Sequence, residues 1–326
     1  MSRAGGLQPR MDDFFVCDFI GASPKHDLAS MEHPVFSLAT RPDRRILSYL
    51  HNDVEVTVTP SVKGRATIFD ADILIFCISQ LMAALNAGRK VSRTLTLTAH
   101  DLLLATGRET SGDSYRRLRE AFERLAGTRI TTNIVTGDEE ITTGFGLIEA
   151  WEIVRKTRAG RMVSVRVTLS DWLYQAVLSR SVLTLNRDYF RLRKPLERRL
   201  YELARKHCGN QRVWRASVET LLKKSGSTSP RRVFRAMLRE VIARDSLPDY
   251  RLEEEPGDMI VVTRKDVVVI GAGGLHLKPD TLDEIRALAP GADVYALEAE
   301  WRAFAARTPP RAPDAAFLGW VRKRLA

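Results

Sequence analysis

The chain has 326 residues, 44% of them hydrophobic and 28% charged, enough apolar material for about two ordinary domains. Its 51 Lys and Arg outnumber 40 Asp and Glu, and the resulting +11 favours a polyanionic partner, above all nucleic acid. Three scattered cysteines (Cys17, Cys77 and Cys208) exclude a disulfide framework, and the longest apolar run, Ile73–Ile78, is far short of the ~20 residues of a membrane span.

Each cysteine reads as a small buried hydrophobe, and the start of the chain lacks the apolar core of a secretory leader, so a cytoplasmic protein is expected. Residues 1–40 are poorly periodic and broken by Pro24 and Pro34, which points to a partly irregular N-terminal segment. Val54–Thr59 alternates strictly and predicts a half-buried strand, with Thr67–Phe69 as its partner across a turn at Lys63–Gly64. Asp70–Leu85 predicts a heavily buried helix that stops at Gly88.

Thr94–Leu97 predicts a short strand, and Thr98–Ala105 a short capped helix closed by Gly107. A longer helix follows from Ser114 to about Leu125, with Tyr115, Leu118, Phe122 and Leu125 on its apolar face. Thr131–Val135 and Glu140–Phe145 then read as a hairpin around Gly137–Asp138. Ile148–Val154 and Met162–Leu169 add strand on either side of a basic turn. Short helix, turn, longer helix and hairpin is the order of a winged helix-turn-helix.

The order recurs. Tyr189–His207 reads as mostly helical, with Pro195 at the true helix start or at a kink. Val213–Trp214 is a short strand, Ser217–Lys224 a short capped helix, and Pro230–Ala243 a longer one with Val233, Phe234, Met237, Leu238 and Val241 inward. Tyr250–Glu255 and Met259–Thr263 form a hairpin around Pro256–Asp258. The fold class expected is therefore α+β: two tandem winged helix-turn-helix domains, 41–180 and 181–266. A flexible joint at 267–274 and a small helical C-terminal segment, 275–326, complete the chain.

The second long helix carries Arg231, Arg232, Arg235 and Arg239. Residues 231, 235 and 239 line one face, with no acid of their own helix three or four positions away. Such a stripe is unfavourable until an anion arrives, and Arg forks match guanine edges and phosphate oxygens; a solvated helix face is the plain alternative. Ser229 at the start of that helix, and Lys223 and Lys224 before it, complete this candidate DNA surface. In the first long helix the candidates are Ser114, Arg116, Arg117 and Arg119, but Glu120 and Glu123 are interleaved and could simply pair with them. Arg155, Lys156, Arg158 and Arg161 form a candidate wing or phosphate-contacting loop. Between Asn186 and Arg244 seventeen basic residues face five acids, a net of +12 that places the positive field mainly in the second domain.

Catalytic readings find little to stand on. No phosphate-binding Gly-Lys loop occurs, and the third glycine of a dinucleotide fingerprint after Val267–Ile270 would fall on His276. No His or Cys pair has metal-ligand spacing, and Tyr201, beside Arg198, Arg199 and Arg205, sits near an apolar helix face as a core residue would. The chain is expected not to be an enzyme and to need no cofactor or metal.

Three stretches carry a family resemblance: Tyr115–Leu125 with Thr128–Thr132, Val182–Leu192 with Arg198–Gly209, and Leu247–Tyr250. They resemble the replication initiator protein A family of bacterial plasmids over roughly residues 30–265. The resemblance implies two winged-helix domains, binding to repeated origin sequences (iterons) in double-stranded DNA, and recruitment of the host replication initiator and replicative helicase. It also implies a homodimer in equilibrium with monomer, the first domain serving dimerisation as well as DNA contact. Initiators of this kind open origin DNA through binding energy. A winged-helix transcriptional regulator is the competing reading.

Overall fold

The computed structural model describes residues 14–19, 21–51, 54–136, 139–155, 162–209, 211, 213–265, 277, 279–289, 292, 294–305, 310 and 312–325. The fold is mixed α+β and divides into two units, Met1–Gly21 with Thr40–Ser179 and Ala22–Ala39 with Arg180–Ala326. The chain thus leaves the first unit, contributes residues 22–39 to the second, and returns.

Strand β1 (Phe15–Val16) precedes β2 (Lys25–Asp27) and the short helix α1 (Leu28–Glu32), whose N-cap Asp27 accepts from the Ser30 N–H at 2.8 Å. Next come β3 (Leu47–His51) and β4 (Val54–Thr59), the alternating stretch. Ser61–Gly64 makes the expected turn; Gly64 has φ +94, and a Cβ there would lie 3.0 Å from the Asp43 nitrogen. Thr67–Phe69 does not return as a strand. It forms the turn into helix α2 (Ala71–Asn86), with the Asp70 N–H donating to the Thr67 carbonyl at 2.9 Å. Every residue of α2 from Ala71 to Met82 is buried, as a helix apolar all round requires. The polar groups at its entry are matched: Arg124 donates to both Asp70 oxygens at 2.7 and 2.8 Å, and Arg108 to Asp72 at 2.9 Å.

Then follow β5 (Thr94–Leu97), α3 (Ala99–Ala105), α4 (Gly112–Gly127), β6 (Arg129–Thr136), β7 (Glu139–Gly146), β8 (Ile148–Arg155), β9 (Met162–Leu169) and α5 (Asp171–Leu178). Thr98 caps α3 by accepting from the Asp101 N–H at 3.1 Å, and Ser111 caps α4, one turn earlier than expected. These strands form two sheets, in the orders β1-β5-β9-β8 and β3-β4-β6-β7. The partners of β4 are therefore β3 and β6. Phe122 of α4 stacks on Trp151 of β8 at 5.8 Å between centroids, which fixes the long helix on the first sheet.

In the second unit β10 (Val182–Thr184) pairs antiparallel with β2. A 3-10 turn at Arg187–Arg191 leads to α6 (Pro195–Cys208), which has Pro at its first position, then β11 (Val213–Ser217), α7 (Val218–Ser225), α8 (Arg231–Arg244), β12 (Tyr250–Glu255) and β13 (Met259–Arg264). The sheet order is β11-β13-β12. This repeats the first unit element for element: α2-β5-α3-α4-β8-β9 has the corresponding sheet order β5-β9-β8. The hairpin β6-β7, expected to complete the first helix pair, is an insertion that joins β3 and β4 instead, and β8-β9 takes its place. Alternation along a strand is local and does not say which sheet the strand will join.

Helices α9 (Pro279–Leu288), α10 (Val294–Ala305) and α11 (Pro313–Leu325) enclose an apolar cluster of their own, with Leu282, Ile285, Val294, Trp301, Phe317 and Val321. The joint expected at 267–274 lies outside the described residues. No described helix is long and apolar enough to cross a membrane.

The second unit is held by polar residues where a core is usually apolar. Arg198, Arg199, Glu202 and Arg205 of α6 are buried. Arg199 donates to the carbonyls of Ser30, Met31 and Glu32 at the end of α1, at 3.0, 3.1 and 3.3 Å. It also reaches the Lys224 carbonyl in the last turn of α7 at 2.8 Å and the Glu202 carboxylate at 3.0 Å. One guanidinium thus caps two helix C-termini, where orphan carbonyls and the negative end of the dipole gather. Tyr201, whose hydroxyl accepts from Asn186 N–H at 2.7 Å and donates to Asp249 at 3.1 Å, is a core residue, as expected. Replacing Arg199 with Met leaves those carbonyls without this donor and the buried Glu202 carboxylate without its cation, and should destabilise the chain by about 3–5 kcal/mol, as for other broken buried pairs. Arg199→Lys should recover little, because an ammonium cannot span both helix ends. Urea denaturation of the three proteins measures the difference.

Candidate nucleic-acid interface

Helix α8 starts where Gly226, in the left-handed region at φ +68, closes α7, and Pro230 (φ −54) sets the entry angle. Phe234, Leu238 and Val241 anchor its inner face, each contributing about 1.5–3 kcal/mol by burial. Val233, expected inward, is 42% exposed. The Arg stripe lies on the adjoining flank of the helix, beside the hairpin β12-β13, between the inner face and solvent. Arg231, Arg232 and Arg239 are exposed and Arg235 is half-buried.

No member of the stripe pairs with an acid of its own helix, as expected, but the stripe is not uncompensated. The hairpin β12-β13 supplies acids. Arg231 and Arg235 both pair with Asp258, and Arg239 forms a two-pronged pair with Glu254 at 2.8 and 2.9 Å. The Arg239 guanidinium holds the Glu254 carboxyl below the usual carboxylate range, and Glu254 in turn raises Arg239. Arg232 makes no ion pair among the described residues. Glu240 accepts from Lys194 at 2.7 Å and from Arg244 at 2.9 Å, on the side away from the stripe. Sequence spacing could not reveal the pairing with Asp258 and Glu254, which lie 15–27 residues downstream; the acidic run Glu253–Asp258 was its one signal.

The other candidates divide. The Ser229 N–H donates to Ser227 Oγ at 3.3 Å within the turn before α8. Lys223 is exposed and pairs with Glu219 at 3.1 Å. Lys224 is only 4% exposed and is bound to Glu32, so it is an interior residue and not part of a DNA surface. Arg198, Arg199 and Arg205 are interior too, so four of the seventeen cations behind the +12 do not face solvent. In α4, Arg116 and Arg117 converge on Asp113, Arg117 at 2.7 Å, and Arg119 pairs with Glu123 at 3.3 Å. Arg116 also lies 3.6 Å from Glu120. The first long helix is therefore neutralised by its own acids. Ser114 supplies an N–H to the N-cap Ser111, and their hydroxyls lie 3.2 Å apart. Lys156, Arg158 and Arg161 lie outside the described residues; Arg155 ends β8, paired in register with Met162.

A second charged cluster went unread in the sequence. Glu32 accepts from Lys206 at 2.8 Å, pairs with Lys224, and lies 3.3 Å from His207 Nε2. Burial alone would raise the Glu32 carboxyl, but hydrogen bonds from Lys206 and Lys224 outweigh it and pull it down to about 2. Burial lowers His33 and His207 to about 4, keeping both neutral.

A family model described as replication initiator protein A matches residues 25–252. A protein of Wigglesworthia glossinidia brevipalpis that bears the name of a replication protein is 38% identical over 247 residues, 74% of this chain and 90% of that one. Two crystal structures of domains 2 and 3 of RctB share the fold. One has a TM-score of 0.51 at 14% identity, covering 69% of this chain and 92% of that one; the other has 0.50 at 15%, covering 72% and 95%.

The two histidines give the second unit a pH dependence. They bind protons more weakly folded than unfolded, so their contribution is complete above about pH 6.5 and is lost as pH falls towards 4. The contribution of Glu32 persists lower and is lost towards pH 2. Denaturant midpoints should therefore fall between pH 7 and 4.5, and a His33→Gln/His207→Gln variant should flatten that fall.

Proposed function

The chain belongs to the replication initiator protein A family, and from that premise we propose that it initiates plasmid replication by binding repeated origin DNA, the iterons, through two winged-helix units. The observation that carries the reading is the repeat itself. In each unit a strand, a short helix, a longer helix and a hairpin recur with the same sheet order, with β6-β7 inserted after the longer helix of the first unit, and this order supports reading each as a winged helix-turn-helix. The longer helix of such a unit enters the major groove, and α8 carries Arg231, Arg232, Arg235 and Arg239 on a solvent-accessible face.

The two units have unequal tasks. The second supplies most of the DNA affinity through α8, with Lys223 and Ser229 at the approach to that helix. The first, whose α4 cations are matched by Asp113, Glu120 and Glu123, contributes less electrostatic attraction and serves homodimer control as well as DNA contact. The chain works in the cytoplasm, not as an enzyme but by binding energy: it stabilises bent, partly opened origin DNA and recruits the host initiator and the replicative helicase.

A plasmid carrying only the cognate origin should replicate when this chain is supplied in trans. Loss of replication with DNA binding intact would make it a transcriptional regulator of the same fold. In vitro, Ala at Arg231, Arg235 or Arg239 should each weaken binding to the iteron about ten- to a hundredfold and relax preference at one base position. Equal loss on iteron and random duplex would restrict these residues to phosphate contact, and unchanged binding on both would remove α8 from the interface.

A further inference from the structure

The hairpin β12-β13 stands where a winged helix presents its wing, yet from Glu253 to Asp258 it carries four acids and no base. Such a wing repels a phosphate backbone. Its tip is also fixed. Asp258 sits in the left-handed region at φ +62, and its carbonyl accepts from the Val218 N–H at the start of α7 at 2.9 Å. That bond holds the Asp258 carboxylate over the first turns of α8, where Arg231 and Arg235 meet it, while the register Glu254↔Ile260 brings Glu254 to Arg239.

We propose that Asp258 and Glu254 are specificity-determining residues: their carboxylates occupy the stripe that random DNA would otherwise hold through its phosphates. The proposal rests on the reading that α8 meets DNA. Four Arg on α8 offset by two carboxylates present a net +2 where the helix alone would present +4. A phosphate must displace a carboxylate to reach Arg231, Arg235 or Arg239, exchanging one ionic contact for another with little gain. A guanine edge, in contrast, uses a bidentate pair of N–H donors, and a guanidinium has five, so it can keep its carboxylate on one side and read a base on the other. The acids thus penalise random sequence more than the cognate site, which is discrimination by making the wrong complex worse.

The test is the full-length Asp258→Asn/Glu254→Gln variant, which removes two charges at nearly constant shape. Asn tolerates the left-handed backbone at 258, and each single variant repeats the measurement should the double fold poorly. Binding is read by fluorescence anisotropy on a random-sequence duplex and on the duplex that the unmodified chain selects from a random pool, from 50 to 200 mM salt. Affinity for the random duplex should rise about tenfold at low salt, with a salt slope steeper by about 2 for the two negative charges removed. Affinity for the selected duplex should rise less, so that the specificity ratio falls.

An unchanged random-duplex affinity and slope would overturn the proposal. So would a parallel loss on both duplexes, which would make the acids mere props for the Arg side chains. An Arg231→Ala/Arg235→Ala/Arg239→Ala variant separates this from failure of the premise. If it loses the selected duplex while the acid variant changes nothing, only the proposal fails; if it binds both duplexes as the unmodified chain does, the reading of α8 fails and the proposal with it.

Discussion

A guanidinium with no access to water must find an acceptor for every donor, and Arg199 finds them at the ends of two helices and on Glu202. That requirement organises the second unit. It fixes α1, which arrives from the N-terminal stretch, against α6, and it fixes the last turn of α7, from which the chain turns into α8. Glu32, whose own carbonyl is among those capped, repeats the logic through its side chain with Lys206 and Lys224. The interior of this unit is thus specified by charge matching as much as by apolar volume, which leaves few alternative packings.

The same charge matching decides how much of a basic sequence becomes a basic surface. Arg198, Arg199, Arg205 and Lys224 contribute to the net charge but not to a docking face, because each is consumed inside. On α4 the neighbours are on the same helix, and on α8 they come from the hairpin. What the second unit offers outward is a moderated positive face whose cations are held in place by carboxylates. This suits a reader of sequence better than a general polyanion binder, since attraction to any phosphate backbone is what specificity has to overcome.

Much of the fold was legible because it rests on short-range physics. Strict alternation in Val54–Thr59, the caps Thr98 and Ser217, and the glycines that close helices each specify a local conformation. The resemblance in Val182–Leu192, Arg198–Gly209 and Leu247–Tyr250 also has a physical basis. Asn186, Tyr201 and Asp249, one from each stretch, meet in a single hydrogen-bonded cluster, and the Tyr189 hydroxyl donates to Glu202 at 2.7 Å. Residues that must satisfy one another in the interior leave a recognisable pattern, whereas exposed arginines do not.

The sequence by itself determined the capped helices and alternating strands of the two repeated blocks and the sign of the charge, because caps, periodicity and composition act within a few residues of one another, but not the short elements β1, β2, α1, β3, α5 and β10. Only the tertiary structure decided which hairpin completes the first helix pair, that residues 22–39 belong to the second unit, that Lys224 is interior, and that the stripe on α8 is bound to Asp258 and Glu254. Each of these is a pairing between residues distant in the chain, and strand alternation or helix spacing constrains neighbours without naming partners.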